Sequence, residues 1–139
     1  MSITTIKAKL IEKLEDMQTL KGVSNWETSN ADGKYPLATV TMREGEGVFR
    51  STAHNQRRRG FTIRVYQEQT KEGQGPQQAE AIVVSVIDEL EAALDMDTTL
   101  SGTCKYVTPT SWRAMYQNRD KDTRVLEIHV DAVDLVSSN

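Results

Sequence analysis

Ala79, Ile82, Val83, Val86, Ile87, Leu90 and Leu94 recur at spacings of three and four, the strongest amphipathic stripe in the chain. A helix so patterned has one apolar face and cannot bury it alone, so the rest of the chain must supply a second layer. Pro76 suits a helix N1 position and Glu80 the favourable first turn, which predicts a helix over 76–94 with Gly102 in the turn beyond. Ile3, Ile6, Leu10, Leu14, Met17 and Leu20 form a second stripe. It predicts a first helix from Ile3 to Lys21, capped by Ser2 and closed by Gly22. Both stripes are single faces of a few turns and read as core packing.

The layer they require is a sheet. Val23 to Thr28 predicts a short strand, and Asn30, Ala31, Asp32 and Gly33 supply turn chemistry. Tyr35 to Arg43 predicts the next strand, with Ala38, Val40 and Met42 on one face and Leu37, Thr39 and Thr41 on the other; together the two read as a hairpin. Phe61, Ile63 and Val65 alternate with Thr62, Arg64 and Tyr66, a further strand. Thr103 to Ala114 is rich in Thr, Val, Tyr and Trp, although Pro109 demands an edge or a bulge. Thr123 to Val136 closes the set, with Leu126, Ile128, Val130 and Ala132 facing one way and Glu127, His129 and Asp131 the other.

The predicted fold class is therefore α+β: a two-layer domain, its sheet mainly antiparallel, with two helices packed on one face in the order α-β-β-β-α-β-β. At 139 residues the chain makes one domain, spanning 1–139, able to bury roughly two thirds of its unfolded surface. No internal repeat or linker divides it.

Composition bounds the function. Apolar residues are 37% and charged residues 27%, a low apolar share for a self-contained globule. A formal charge of −3 argues against a dedicated nucleic-acid binder. The single Cys104 forms no internal disulfide, and one cysteine with two histidines cannot supply an ordinary Cys/His zinc site. No stretch offers the roughly 18 apolar residues that span a bilayer. No cofactor, metal or membrane partner is expected.

Catalytic motifs are equally lacking. There is no Walker-type phosphate loop and no G-x-S-x-G elbow, and Gly73 and Gly75 lack the supporting lysine. His54 and His129 read as solvated surface histidines, and Cys104 as a half-buried filler without a positive neighbour to stabilise a thiolate. The expectation is a protein that is not an enzyme.

Two charge features stand out. The polar stretch from Glu44 to Gly60, whose large apolar residues are Val48 and Phe49, breaks the strand pattern and reads as a long loop ending in Arg57, Arg58 and Arg59. Loops beyond about 12–15 residues in compact domains are usually functional or disordered. The second helix ends in Asp88, Glu89 and Glu91, followed by Asp95 and Asp97. Carboxylates there oppose the helix macrodipole at about 0.3–1 kcal/mol each. Nothing in the sequence compensates them, which points to a neighbouring subunit whose arginine segment approaches this acidic end. These ten residues are the candidate subunit interface.

Three stretches carry a family resemblance. The first is the opening helix, followed by a Trp-containing strand and the strand start Tyr35-Pro36-Leu37-Ala38-Thr39-Val40. The second is the polar run from Thr52 into the strand Phe61-Thr62-Ile63-Arg64-Val65-Tyr66. The third is the helix ending Leu94-Asp95-Met96-Asp97-Thr98-Thr99-Leu100-Ser101-Gly102, then two strands. In this order they cover most of the chain, which resembles the tail terminator proteins of long-tailed bacteriophages, also called tail completion or minor tail proteins. Head completion and head–tail joining subunits are similar in size.

The resemblance implies a non-enzymatic virion subunit, made in the host cytoplasm. It would form a ring, typically a hexamer, that caps the head-proximal end of the tail tube and ends its polymerisation. Its implied partners are copies of itself, the tail tube protein and a head completion or connector protein. Genomic DNA would pass through the lumen without specific binding. The alternatives are another neck or head–tail joining subunit, or a small monomeric binding protein using the arginine-rich loop.

Overall fold

The computed structural model describes residues 3–24, 36–49, 54–68, 76–118 and 122–137. The elements are α1 (Ile3–Glu15), β1 (Gly22–Ser24), β2 (Leu37–Phe49), β3 (His54–Glu68), α2 (Pro76–Met96), β4 (Tyr106–Asn118) and β5 (Asp122–Ser137). They build an α+β fold with one five-stranded sheet ordered β1-β2-β3-β5-β4, antiparallel except between β1 and β2.

Both helices cover the same sheet face. Ile6, Leu10 and Leu14 of α1 and Val83, Val86, Ile87, Leu90 and Leu94 of α2 join one core. Its floor is built by Ala38 and Val40, then Phe61, Ile63 and Val65, then Leu126, Ile128, Val130 and Ala132, the alternating positions of three neighbouring strands. Each fully buried aliphatic or aromatic side chain there contributes about 1.5–3 kcal/mol. The opposite face is not uniformly polar: Leu37, Tyr66 and Val125 stand side by side across β2, β3 and β5, and all are buried.

Four expectations change. The first helix stops at Glu15, not Lys21, because the Gln18 N–H donates to Glu89 Oε1 of α2 at 2.6 Å and the Thr19 hydroxyl donates to Glu89 Oε2. Met17 and Leu20 stay buried beyond the helix, and Gly22 opens β1 instead of closing α1.

The second concerns β1, which is short and runs parallel to β2, pairing Gly22 with Leu37 and Ser24 with Thr39. Parallel neighbours need a crossover of about a dozen residues, so the expected hairpin between them does not exist. Residues 25–35, which hold the end of that predicted strand and the Asn30–Gly33 turn signal, lie outside the described residues.

Third, the 44–60 stretch is not a long loop. β2 continues to Phe49 and β3 begins at His54, in register from Gly45↔Arg59 to Phe49↔Asn55. β5 flanks the same part of β3, from Arg59↔Ala132 to His54↔Ser137. Paired on both sides, β3 extends through a polar sequence by its backbone ladder, without the apolar alternation that marks a half-buried strand.

Fourth, Glu80 lies beyond the first turn of α2 and accepts a hydrogen bond at 2.8 Å from Arg124, a nearly buried residue of β5. Pro109 behaves as expected on both counts: β4 is an edge strand, and its register with β5 shifts between Pro109 and Ser111.

Candidate interaction site

Strand geometry splits the arginine run. Residues 57 and 59 continue the helix-facing series Phe61, Ile63, Val65, whereas Arg58 points to the other face. There Arg58 Nη1 lies 3.2 Å from Asp131 Oδ1 of β5 and is half-buried. On the helix side the series runs from buried Phe61 to half-buried Arg59 to exposed Arg57, so the helix layer ends at Phe61 and the arginines stand beyond it. Met42 on the neighbouring strand, 59% exposed, marks the same limit.

Past that limit Gly45 and Gly47 sit opposite Arg59 and Arg57. Two glycines in register with two arginines border a trough of about 230 Å³, lined by Gly45, Gly47, Arg57, Arg58 and Arg59. A side chain at Gly47 would meet no atom within 4 Å. Asp134 faces Arg57 from β5, while Arg57 has no hydrogen-bond or ion-pair partner among the described residues. Val48 and Phe49 lie at the end of β2, opposite Gln56 and Asn55, and their side chains lie outside the described residues, as does that of His54.

The acidic residues also divide, and for two of them the compensation is internal. Glu89 takes the Gln18 and Thr19 hydrogen bonds described above. Asp97 lies 2.9 Å from Lys13 Nζ and accepts hydrogen bonds from the Ser101 N–H at 2.9 and 3.0 Å. The Ser101 backbone bond and the Lys13 contact hold the Asp97 carboxyl below its ordinary range. These two residues therefore do not await a neighbouring subunit.

Asp88, Glu91 and Asp95 remain. At spacings of three and four they form one stripe on α2, and none has an ion-pair partner among the described residues. Glu91 and Asp95 line an open groove of about 480 Å³ against the 108–112 stretch of β4. Its far wall is Trp112, which pairs with Ile128 and so lies on the helix side of the sheet, yet is 54% exposed.

A further cluster was not anticipated from the sequence. On the face away from the helices, Glu127 lies between Arg64 of β3 and Arg113 of β4, directly opposite both in register. Arg64 Nε donates to Glu127 Oε2 at 3.0 Å, and Arg113 Nη2 to Oε1 at 3.3 Å. His129 Nε2 lies 3.0 Å from Oε1, and its Nδ1 lies 3.2 Å from the Ser111 hydroxyl. His129 is thus not the solvated histidine expected from alternation alone.

Burial raises the Glu127 pKa, but the Arg64 and His129 hydrogen bonds and the two arginine charges outweigh it and hold the carboxyl below its ordinary range. Ser111, His129 and Glu127 are bonded in the order of an acyl-transfer relay, but the carboxylate is already shared by two guanidinium groups. The cluster is a clamp across three strands. The signal that could have found it is the opposite charge of Arg64 and Glu127 on the outward faces of two predicted strands.

Cys104 is buried in the core, and burial pushes its thiol upward, away from a reactive thiolate. Among the described residues no group of three or more His, Cys, Asp or Glu could hold a metal ion, and no helix is long and apolar enough to cross a membrane. No protein-family model matches the chain, and no curated protein matches it.

Proposed function

We propose that the protein is a structural, non-enzymatic subunit that assembles head to tail into a ring, acting as a tail terminator of a long-tailed bacteriophage. The observation that carries the assembly is the position of its two charge features of opposite sign. The arginine trough lies beside β2, which beyond Thr39 has no strand on its outer side among the described residues, and the acidic groove lies on β4, the opposite edge of the sheet.

Complementary surfaces on opposite sides of one subunit form a heterologous contact, and such contacts close into rings when the rotation allows. Opposite charge gives that contact direction and register more than raw affinity. The tail-terminator role rests on the resemblance of the chain's element order and local sequence to that family. In that role the ring caps the head-proximal end of the tail tube and presents a surface to the head connector.

Native mass spectrometry of the full chain at low ionic strength tests the assembly. A discrete multimer that dissociates as salt rises is expected. A monomer at every concentration, alone and with tail tube protein, overturns the reading. For the capping role, addition to polymerising tube protein should arrest elongation; tubes that grow at the control rate overturn it.

A further inference from the structure

Trp112 is a large aromatic side chain left half in solvent on an edge strand, and nothing among the described residues completes its burial. Its surroundings are specific: Glu91 and Asp95 of α2 stand across the groove it lines. The trough at the other edge of the sheet has the converse design. Gly45 and Gly47 contribute no side chains to it, and Arg57, Arg58 and Arg59 complete its lining.

We infer that Trp112 of one copy seats on the Gly45–Gly47 floor of the next, with Glu91 and Asp95 meeting Arg57 and Arg59 around it. This rests on the ring reading and names the residue pair that locks the ring.

Three physical arguments support it. An indole can lie flat against a glycine floor, where any larger residue would hold it off. Guanidinium groups prefer the face of Trp among all aromatic faces, so the arginines that line the trough also bind its occupant. Interfaces concentrate their affinity in a few buried Trp, Tyr and Arg residues ringed by contacts that exclude water, and the carboxylates flanking Trp112 place such a ring. The two surfaces lie on opposite edges of the sheet, so a copy that donates its indole on one side accepts an indole on the other.

The test uses the full chain and two substitutions remote from each other. Trp112→Ala removes the knob, and Gly47→Val adds a side chain to the trough at a position where a Cβ meets nothing within 4 Å. Each should weaken self-association, measured by analytical ultracentrifugation at low ionic strength, about tenfold or more. Both monomers should remain folded and unfold cooperatively, Trp112→Ala at a somewhat lower temperature for the half-buried surface it loses. In a Trp26→Phe background Trp112 is the remaining tryptophan. Its emission should shift to the blue as the assembly forms, and Gly47→Val should abolish the shift.

Wild-type assembly with an unshifted emission, or assembly unaffected by both substitutions, overturns the seating and leaves the ring standing. A wild-type chain that never associates overturns both.

Discussion

Lys13 of α1 lies 2.9 Å from Asp97, the residue that follows the last turn of α2. The last turn of α2 has no basic residue of its own, so α1 supplies the cation that helix C-termini ordinarily carry. Asp97 also holds the Ser101 N–H and hydroxyl in a turn where Leu100, Ser101 and Gly102 all have positive φ. Two non-glycine residues in that region cost about 1–2 kcal/mol each, so the bonds of Asp97 are needed to keep the turn and the buried Leu100 in place. Asp97→Ala, which removes the acceptor of the Ser101 bonds, should lower stability by about 1–2 kcal/mol in urea unfolding. Lys13→Ala should lower it by less than about 1 kcal/mol, because the ion pair is partly exposed and screened. Equal losses would mean that the ion pair, not the turn, is the stabilising element.

Acid sensitivity follows from the same carboxylate and from Glu127. Both have folded-state pKa values below their ordinary range, so the unfolded chain binds protons more readily than the folded one. Their contribution is complete at pH values above the ordinary carboxylate range. It is lost as pH falls through that range toward the lowered native values. Thermal unfolding followed from neutral to acid pH should show this decline, and Glu127→Gln should flatten part of it. A Glu127→Gln protein with the acid limb of the parent would refute the clamp's role.

Gly60 sits beside the bulge of β2, where a Cβ would come within 2.9 Å of the Glu44 carbonyl oxygen and 3.3 Å of Asp131 Oδ1. The carbonyl belongs to the backbone of a paired strand and cannot turn aside. Gly60→Ala should therefore cost about 1–3 kcal/mol. Gly47→Ala, in open space, should leave stability unchanged or raise it by about 0.4–1 kcal/mol through the unfolded chain. The pair of melting curves separates crowding from a general intolerance of side chains in the ribbon.

The helices, the core strands and the fold class were legible because burial imposes a period. Val83, Val86 and Leu90, or Phe61, Ile63 and Val65, have to recur as they do to reach one core. The strands past Phe61 were not legible, since Arg57 to Arg59 are held by pairing with β2 and β5 and their own pattern reports nothing about burial. The parallel pairing of β1 was hidden for a related reason: three residues carry too little pattern to reveal a direction. At the candidate interface, composition treated each charge run as one unit. Arg58 leaves its run by strand alternation, and Glu89 and Asp97 leave theirs through contacts with α1 and the turn after α2. Only the fold separates the charges spent inside the subunit from Arg57, Asp88, Glu91 and Asp95, which have no ion-pair partner among the described residues.

Those unspent charges allow a test of contact direction. Arg57→Glu makes the trough repel the acidic groove of an identical copy, and Glu91→Lys with Asp95→Lys makes the groove repel an unaltered trough. Each variant alone should remain monomeric at low ionic strength. Mixed in equal amounts, the two should assemble, because each kind of subunit now meets an opposite charge only on the other kind. Such a ring must alternate, and an alternating ring closes only with an even number of subunits. Native mass spectrometry of the mixture, with one variant isotopically labelled, should show equal numbers of each in every closed species. Assembly of either variant alone, or random composition in the mixture, would show that the trough and the groove do not meet.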